Sequence, residues 1–491
     1  MAHKDVETAS QSFLPEHIMN WVVKSFALLL GLGTLLPPAI FPAAFGQITQ
    51  HNKSTVLPIA AGGKLKMLYD ARQRPQTVLM RGRVYIVFNG DAQPSKNGNG
   101  SAYPMLAIYD IETREFSQAV RLSDKRSTDH HDSPIIWADK NKHLHVLFGC
   151  HKTPGTHLVS VSPATEAGTE LSWREATQIA PKLSYPSVFR IAGDRELIYY
   201  RTDGHTSSWT YRISDDCGQS WVGPPTDVTD LDCKGRLDWS SYQTKIASSD
   251  GSSLHVVFTD YDDNKHSPTP ERFYNPRYGQ EVSNEWKYNL SYLRIDLQTQ
   301  QAYNSTGKLL TLPIDIAYSK EHCEIWDTDF RGAGVPPAVA LNQKGEPGFL
   351  HVLSGATVRN HHYFYVRKVD GEWLKTPIVE SNHQWNSGHL SCDAEGRLHA
   401  FVIVGPGYLE GGYMDKHGGG QIEEWISENN GESWRFRRKV SPTAAKYEGW
   451  RFNNVQPVIR SDNTQVEGMF VFYGWKSQND PDAVAFLFHE R

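Results

Sequence analysis

One phrase of apolar and polar positions recurs seven times along the chain. Its core is a short, mostly apolar run: RVYIVFNG from Arg83, HLHVLFGC from His143, ELIYYRTDG from Glu196, SLHVVFTD from Ser253, FLHVLSG from Phe349, RLHAFVIVG from Arg397 and GMFVFYGW from Gly468. A polar turn and another short apolar run precede each: RPQTVLMRG, SPIIWADKN, YPSVFRIAG, YQTKIASSD, PPAVALNQK, GHLSCDAEG and VQPVIRSDN. Runs of this length, bounded by Gly, Asn and Asp, predict strand–turn–strand hairpins. No helical periodicity of useful length competes beyond the N-terminal segment. The copies are mostly about 50–70 residues apart, room for a four-stranded blade and its loops. Seven copies therefore predict an all-β fold over residues 63–491, a seven-bladed β-propeller of four-stranded antiparallel blades.

Two stretches break the pattern. The fourth interval runs 96 residues, from Ser253 to Phe349, and within it residues 261–285 are polar, proline-bearing and without strand alternation. They are expected to form a loop walling the functional face. At the N-terminus, residues 26–36 form an apolar run too short for the ~20 residues of a membrane span. Lys24 on one side and Ala44-Phe45-Gly46 on the other complete the outline of a signal peptide. Residues 1–46 are thus expected to be a tail and signal, with Met19 as an alternative start, and residues 47–62 a linker. A cleaved signal predicts a secreted, periplasmic or cell-surface protein with no stable membrane partner.

Composition narrows the class. Fourteen Trp, 22 Tyr and 39 Gly suit a β-rich chain with many turns. A net charge of -5 and no basic stripe argue against nucleic acid as a partner, while leaving room for an acidic glycan at a local Arg/His cluster. Five cysteines are too few and too odd for a disulfide scaffold, with Cys217 and Cys233 the nearest pair. Asn52, Asn99, Asn289 and Asn304 each open a glycosylation sequon. A monomer is expected.

The hairpin geometry then picks out a site. The first and last residues of a hairpin return to one edge, so His131 is expected near His151, Tyr185 near Arg201 and Tyr242 near Tyr261. Consecutive blades collect these six at one rim. Trp385, Trp450 and Asn454 precede the first strands of the last two blades and are candidates for sugar stacking and hydrogen bonding. This set lacks the two carboxylates of a glycoside hydrolase and a Ser or Cys nucleophile paired to a base. It suits β-elimination on a uronic acid. There a planar Arg neutralises the carboxylate, one group takes the C5 proton, and another protonates the departing O4.

Two outer hairpins, Ser214–Trp221 and Ser427–Trp434, fit S-x-D/N-x-G-x-x-W, which resembles the Asp-box of bacterial neuraminidase-type (BNR) propellers. With D-x-H-x-S-P and a His 20 residues on (Asp129, His131, Ser133, Pro134, His151), and Tyr-Pro with an Arg 16 residues after the Tyr (Tyr185, Pro186, Arg201), the chain resembles the BNR-propeller polysaccharide lyases, the ulvan lyases and rhamnose–glucuronate lyases. That resemblance implies an acidic polysaccharide or oligosaccharide substrate and His131 and Tyr185 as base and acid in either order. It also implies Arg201 as neutraliser, with His151 and Tyr242 as substrate contacts. It implies no cofactor for the chemistry and allows a structural calcium or zinc with no ligands assigned; by residue type Cys150–His151 and His322–Cys323 are candidate ligands, yet no C-x-x-C pair supports zinc. His130 beside His131 leaves a register one residue away open, and WSSYQTK in blade four departs from the relatives' phrase. Two rivals remain: a sialidase-like hydrolase, given Phe189-Arg190-Ile191-Ala192, and a non-catalytic glycan-binding propeller.

Overall fold

The middle strands are apolar throughout because successive side chains enter two different cores. In Arg83–Gln93, Val84, Ile86 and Phe88 pack with Val471, Tyr473 and Leu487. Tyr85 and Val87 pack the other way, with Ile136, Val146 and Phe148. A strand with both faces covered cannot show the half-polar alternation of an exposed sheet. Repeated around a ring, this is the packing of a propeller, in which each sheet stacks on two neighbours.

The computed structural model describes residues 55–61, 68–93, 101–164, 171–204, 207–230, 239–262, 272–283, 285–407, 417–476 and 483–490. The expected signal peptide within residues 1–46 and Cys233 lie outside them. All seven expected hairpins are present and antiparallel. The innermost hairpin strands are Thr77–Met80, Ile135–Ala138, Leu183–Ile191, Trp239–Ala247, Ala338–Leu341, His389–Cys392 and Arg451–Ile459. Third strands follow at Ser101–Asp110, Thr156–Ser160, Trp209–Ser214, Lys287–Asp296, His361–Val369, Gln421–Ser427 and Val484–His489. The chain is a seven-bladed antiparallel β-propeller.

Three features depart from the sequence expectation. Part of the stretch read as a linker is a strand: Thr55–Ala61 pairs antiparallel with Val484–His489, so the outermost strand of the last blade comes from the N-terminal side. The stretch 261–285 is not without strands either. The second strand of blade four runs on to Asp262, and a hairpin follows at Arg272–Asn275 and Gln280–Ser283. Tyr278 ties this hairpin to blade five, its hydroxyl donating to Ser354 Oγ (2.7 Å) and Gly355 O (2.9 Å). His151–Thr153 does not extend the second strand of blade two. It forms a separate strand on the inner edge of blade three.

The two glycine-bearing outer turns are built alike. In one, Ser214 Oγ donates to Asp216 Oδ1 and accepts from Gly218 N, while Ser220 N donates to Asp216 Oδ1. Ser427, Asn429, Gly431 and Ser433 repeat the pattern. Gly431 is at φ +85°, and a Cβ there would lie 2.1 Å from the Tyr365 ring, so both backbone and space require glycine. The four cysteines among the described residues are free. Asn289 is buried in a strand with its amide spent on Asp260 and Thr328, which removes one sequon from the surface. Among the described residues, no helix is long and apolar enough to cross a membrane.

Candidate active site

The site is built around a short 3₁₀ turn, His130–Asp132, capped by Asp129. Asp129 Oδ1 accepts from His131 N (3.0 Å) and from His131 Nδ1 (2.5 Å), and its Oδ2 accepts from His151 Nδ1 (2.6 Å). An ionised carboxylate only accepts, so both imidazoles carry a proton on Nδ1. Burial alone raises the Asp129 carboxyl, but the hydrogen bonds from His131 and His151 outweigh it and hold the group well below the usual carboxylate range. Burial pushes the His131 imidazole down to about 4, so it is neutral at ordinary pH.

Register brings the other expected residues to the same place. Ser184 pairs with His151 on one side and with Arg201 on the other. Next to it, Tyr185 sits at φ +55° in a bulge before Ser187. A bulky residue held in the left-handed region costs roughly 1–3 kcal/mol and marks a position that the surroundings over-determine. The Tyr185 ring lies edge-on to His131, centroids 5.4 Å apart. His131 and His151 are 4.3 Å apart by centroid. The guanidinium carbon of Arg201 is 4.7 Å from the centre of the Tyr185 ring. Arg201 is fully buried; its Nε donates to Asp203 O (3.3 Å), while Nη1 and Nη2 have no hydrogen-bond partner among the described residues. His151 Nε2 is likewise buried and unpaired. Burial, reinforced by the neighbouring Tyr242, raises the Tyr185 phenol well above 10 despite Arg72 and Arg201, so it holds its proton.

His131, His151, Tyr185 and Arg201 thus meet, while the remaining expected residues stand outside that group. Tyr242 stands behind Tyr185, hydroxyls 3.1 Å apart, and Tyr261 stands edge-on behind Tyr242. Asn454 is 1% exposed, and its amide is spent on Tyr69 O and Gln456 Nε2. Trp385 is buried beside a cavity of about 30 Å³ whose wall also includes Asp70, Arg72 and Asn454. Trp450 packs against Tyr447 and Phe486.

Sequence reasoning missed three groups. Arg72 donates through Nε and Nη2 to the two oxygens of Asp70 (2.7 and 2.6 Å), and its guanidinium carbon is 4.6 Å from the Tyr185 ring centre. Lys287 Nζ lies 4.4 Å from the Tyr242 ring centre and donates to Glu285 O and Gly334 O; burial first, then the nearby arginines, lower it to about 7. Asp70 and Arg72 lie two and more residues before Arg74, which holds the position in blade one that Tyr185 holds in blade three, so the rim rule passes them by. Nothing in the sequence points to Lys287.

A cleft of about 260 Å³ adjoins the imidazoles, lined by Asp129 and His151 and by Lys125, Arg126, Asn89 and Thr153 among others. Of the candidate metal ligands, Cys150 is buried with its sulfur against Gly155. Neither Cys150 nor the His322–Cys323 pair belongs to any group of three donors among the described residues. The Phe189–Ala192 phrase runs into the hairpin turn at the opposite end of blade three, where Arg190 meets Asp194.

Residues 97–381 match the family described as BNR repeat-containing family member, and the chain belongs to that family. Among characterised relatives, an ulvan lyase of Nonlabens ulvanivorans is 22% identical over 84% of this chain and 86% of its own length. An ulvan lyase of Alteromonas sp. (strain LOR) is 22% identical over 49% of this chain, and that match spans half the relative's length. A solved PL25 ulvan lyase bound to a -[GlcA(1-4)Rha3S]- chain superposes with a TM-score of 0.66 at 16% identity, covering 89% of this chain and 96% of that one. The lyase Uly1 superposes with a TM-score of 0.57 at 10% identity over 89% and 99%. These likenesses establish the shared propeller.

Proposed function

We propose that the protein is a secreted polysaccharide lyase that cleaves a uronic-acid-containing glycan, of ulvan or rhamnose–glucuronate type, by β-elimination. One observation carries this reading: a buried guanidinium, Arg201, with both terminal nitrogens unpaired among the described residues, lies against a protonated phenol whose ring meets a neutral imidazole. Unpaired buried donors are costly, and a fork of two N–H groups matches a carboxylate.

In this mechanism the uronate carboxylate binds Arg201 Nη1 and Nη2, which makes the C5 proton removable. His131 Nε2 takes that proton, its ring held by Asp129 through Nδ1. The C5–H electron pair becomes the C4=C5 double bond, the C4–O4 bond breaks, and Tyr185 gives its proton to O4. His151, sharing Asp129 with His131, offers Nε2 to a substrate hydroxyl. Lys125 and Arg126 at the adjoining cleft favour a polyanion. The carboxylates nearest the site, Asp70 and Asp129, are spent on Arg72 and the imidazoles, which disfavours a hydrolytic pair.

Incubation with ulvan and with rhamnose–glucuronate oligosaccharides tests the reading. A lyase yields the ultraviolet absorbance of an unsaturated uronate. New reducing ends without that absorbance identify a hydrolase, and binding without cleavage identifies a lectin-like propeller.

A further inference from the structure

Three imidazoles surround one carboxylate in this site. His131 Nδ1 and His151 Nδ1 bind Asp129 at 2.5 and 2.6 Å, and His130 Nδ1 lies 3.8 Å from Asp129 Oδ1. One donor atom from each of Asp129, His131 and His151 lies within 4.8 Å of the other two. We propose that Asp129, His131 and His151 form a binding site for a divalent transition ion, zinc foremost, and that an ion held there switches the enzyme off.

Donor chemistry selects the ion. Two imidazoles and a carboxylate with a position left open are a ligand set that zinc uses, and imidazole also suits copper and nickel. Calcium and magnesium require mostly oxygen ligands, which this cluster lacks. On binding, the ion takes the place of the two Nδ1 protons that now bridge to Asp129, and each imidazole stays a neutral ligand by carrying its proton on Nε2 instead. The donors need only close up around an ion with bonds of about 2.0–2.2 Å. Asp129 is fixed as the cap of the turn, and Ser127 Oγ accepts from its backbone N–H. The three side chains are 18–37% exposed, and the adjoining cleft reaches Asp129 and His151, so an ion can enter from solvent.

The consequence for activity rests on the elimination reading; binding itself does not. With zinc on Nδ1, the His131 proton sits on Nε2, which then has no lone pair to accept the C5 proton, and Asp129 no longer orients the ring as a base. His131 also belongs to a second three-donor group with Asp70 and His130, so an ion on either side of it engages the same imidazole.

The full-length protein, stripped of metal, is titrated with zinc against a chromophoric chelator, and separately with cobalt(II) while visible absorption is recorded. The expected result is one zinc per chain, cobalt bands of nitrogen–oxygen coordination, and at least about a tenfold loss of affinity in His151→Gln and in Asp129→Asn. Thermal melts of both variants check that they fold. Equal zinc affinity in wild type and His151→Gln, or no cobalt spectrum, overturns the site. If a lyase substrate is found, zinc should inhibit over the same concentrations and a chelator should restore the rate. Stoichiometric binding without inhibition overturns the switch alone, and failure to find a substrate leaves the binding result standing.

Discussion

Arg201 lies against the Tyr185 ring, 4.7 Å from guanidinium carbon to ring centre, with both terminal nitrogens free of hydrogen bonds among the described residues. A guanidinium so placed is held ready for a planar anion. Arg201→Lys keeps the charge but loses the two-pronged geometry. The expected outcome is a fall in kcat of about 10²–10³, the size of losing one preorganised donor to developing charge. A melt within a few degrees of wild type confirms that the floor of the site is intact. An unchanged rate would assign carboxylate neutralisation elsewhere, with Arg72 the first candidate.

Tyr185 is asked to supply a proton. Tyr185→Phe keeps the ring between His131 and the guanidiniums and removes only the hydroxyl, so kcat should fall by about 10²–10⁴. A substrate whose O4 leaving group needs no protonation should recover most of that loss. If the activated substrate is slowed as much as the natural one, Tyr185 is not the acid.

The Asp70–Arg72 pair is buried, with side-chain exposures of 1% and 6%. Breaking such a pair from one side leaves a charge without water or partner and costs about 3–5 kcal/mol. Arg72→Met should therefore lower the unfolding midpoint in denaturant markedly, and Asp70→Asn added to it should restore part of the loss. Single and double variants that melt alike would show that the pair is not coupled.

Glu196 gives a pH dependence whose sign can be worked out. It is 2% exposed, and neither carboxyl oxygen has a hydrogen-bond partner. Burial, then Asp139, pushes it up to about 7, against the pull of Arg190 and Lys140. The folded state thus binds a proton that the unfolded state releases between pH ~4.5 and ~7, so stability falls as pH rises through that window and is level above it. The span corresponds to roughly 3 kcal/mol. Glu196→Gln should melt like wild type near pH 4 and progressively higher than wild type up to pH ~8. A difference that does not vary with pH would refute the assignment. Asp260, also raised to about 7 by burial, tilts the wild-type curve the same way and is unchanged in the comparison.

The seven hairpins were legible because each middle strand is buried on two faces, which makes its apolar run continuous. Tyr185 with Arg201 was legible because a hairpin returns its ends to one edge, whereas His151 meets His131 from a separate strand on the inner edge of blade three. The closing strand Thr55–Ala61 was not legible, since its partner, up to His489, is contributed by the far end of the chain and no local pattern announces it. Asp129 stood in a recognised motif without a role, because only folding brings His151 to its second oxygen. Tyr261 and Asn454 occupy the expected rim positions in sequence, but packing turns them into the layer behind the site.

The most direct test follows the double bond. Wild type, Arg201→Ala and Tyr185→Phe are incubated with a glucuronate–rhamnose polysaccharide while ultraviolet absorbance and reducing ends are recorded together. The account predicts that both signals rise in step with wild type and that both variants leave them near background. Reducing ends appearing without absorbance, or absorbance that survives in both variants, would contradict it.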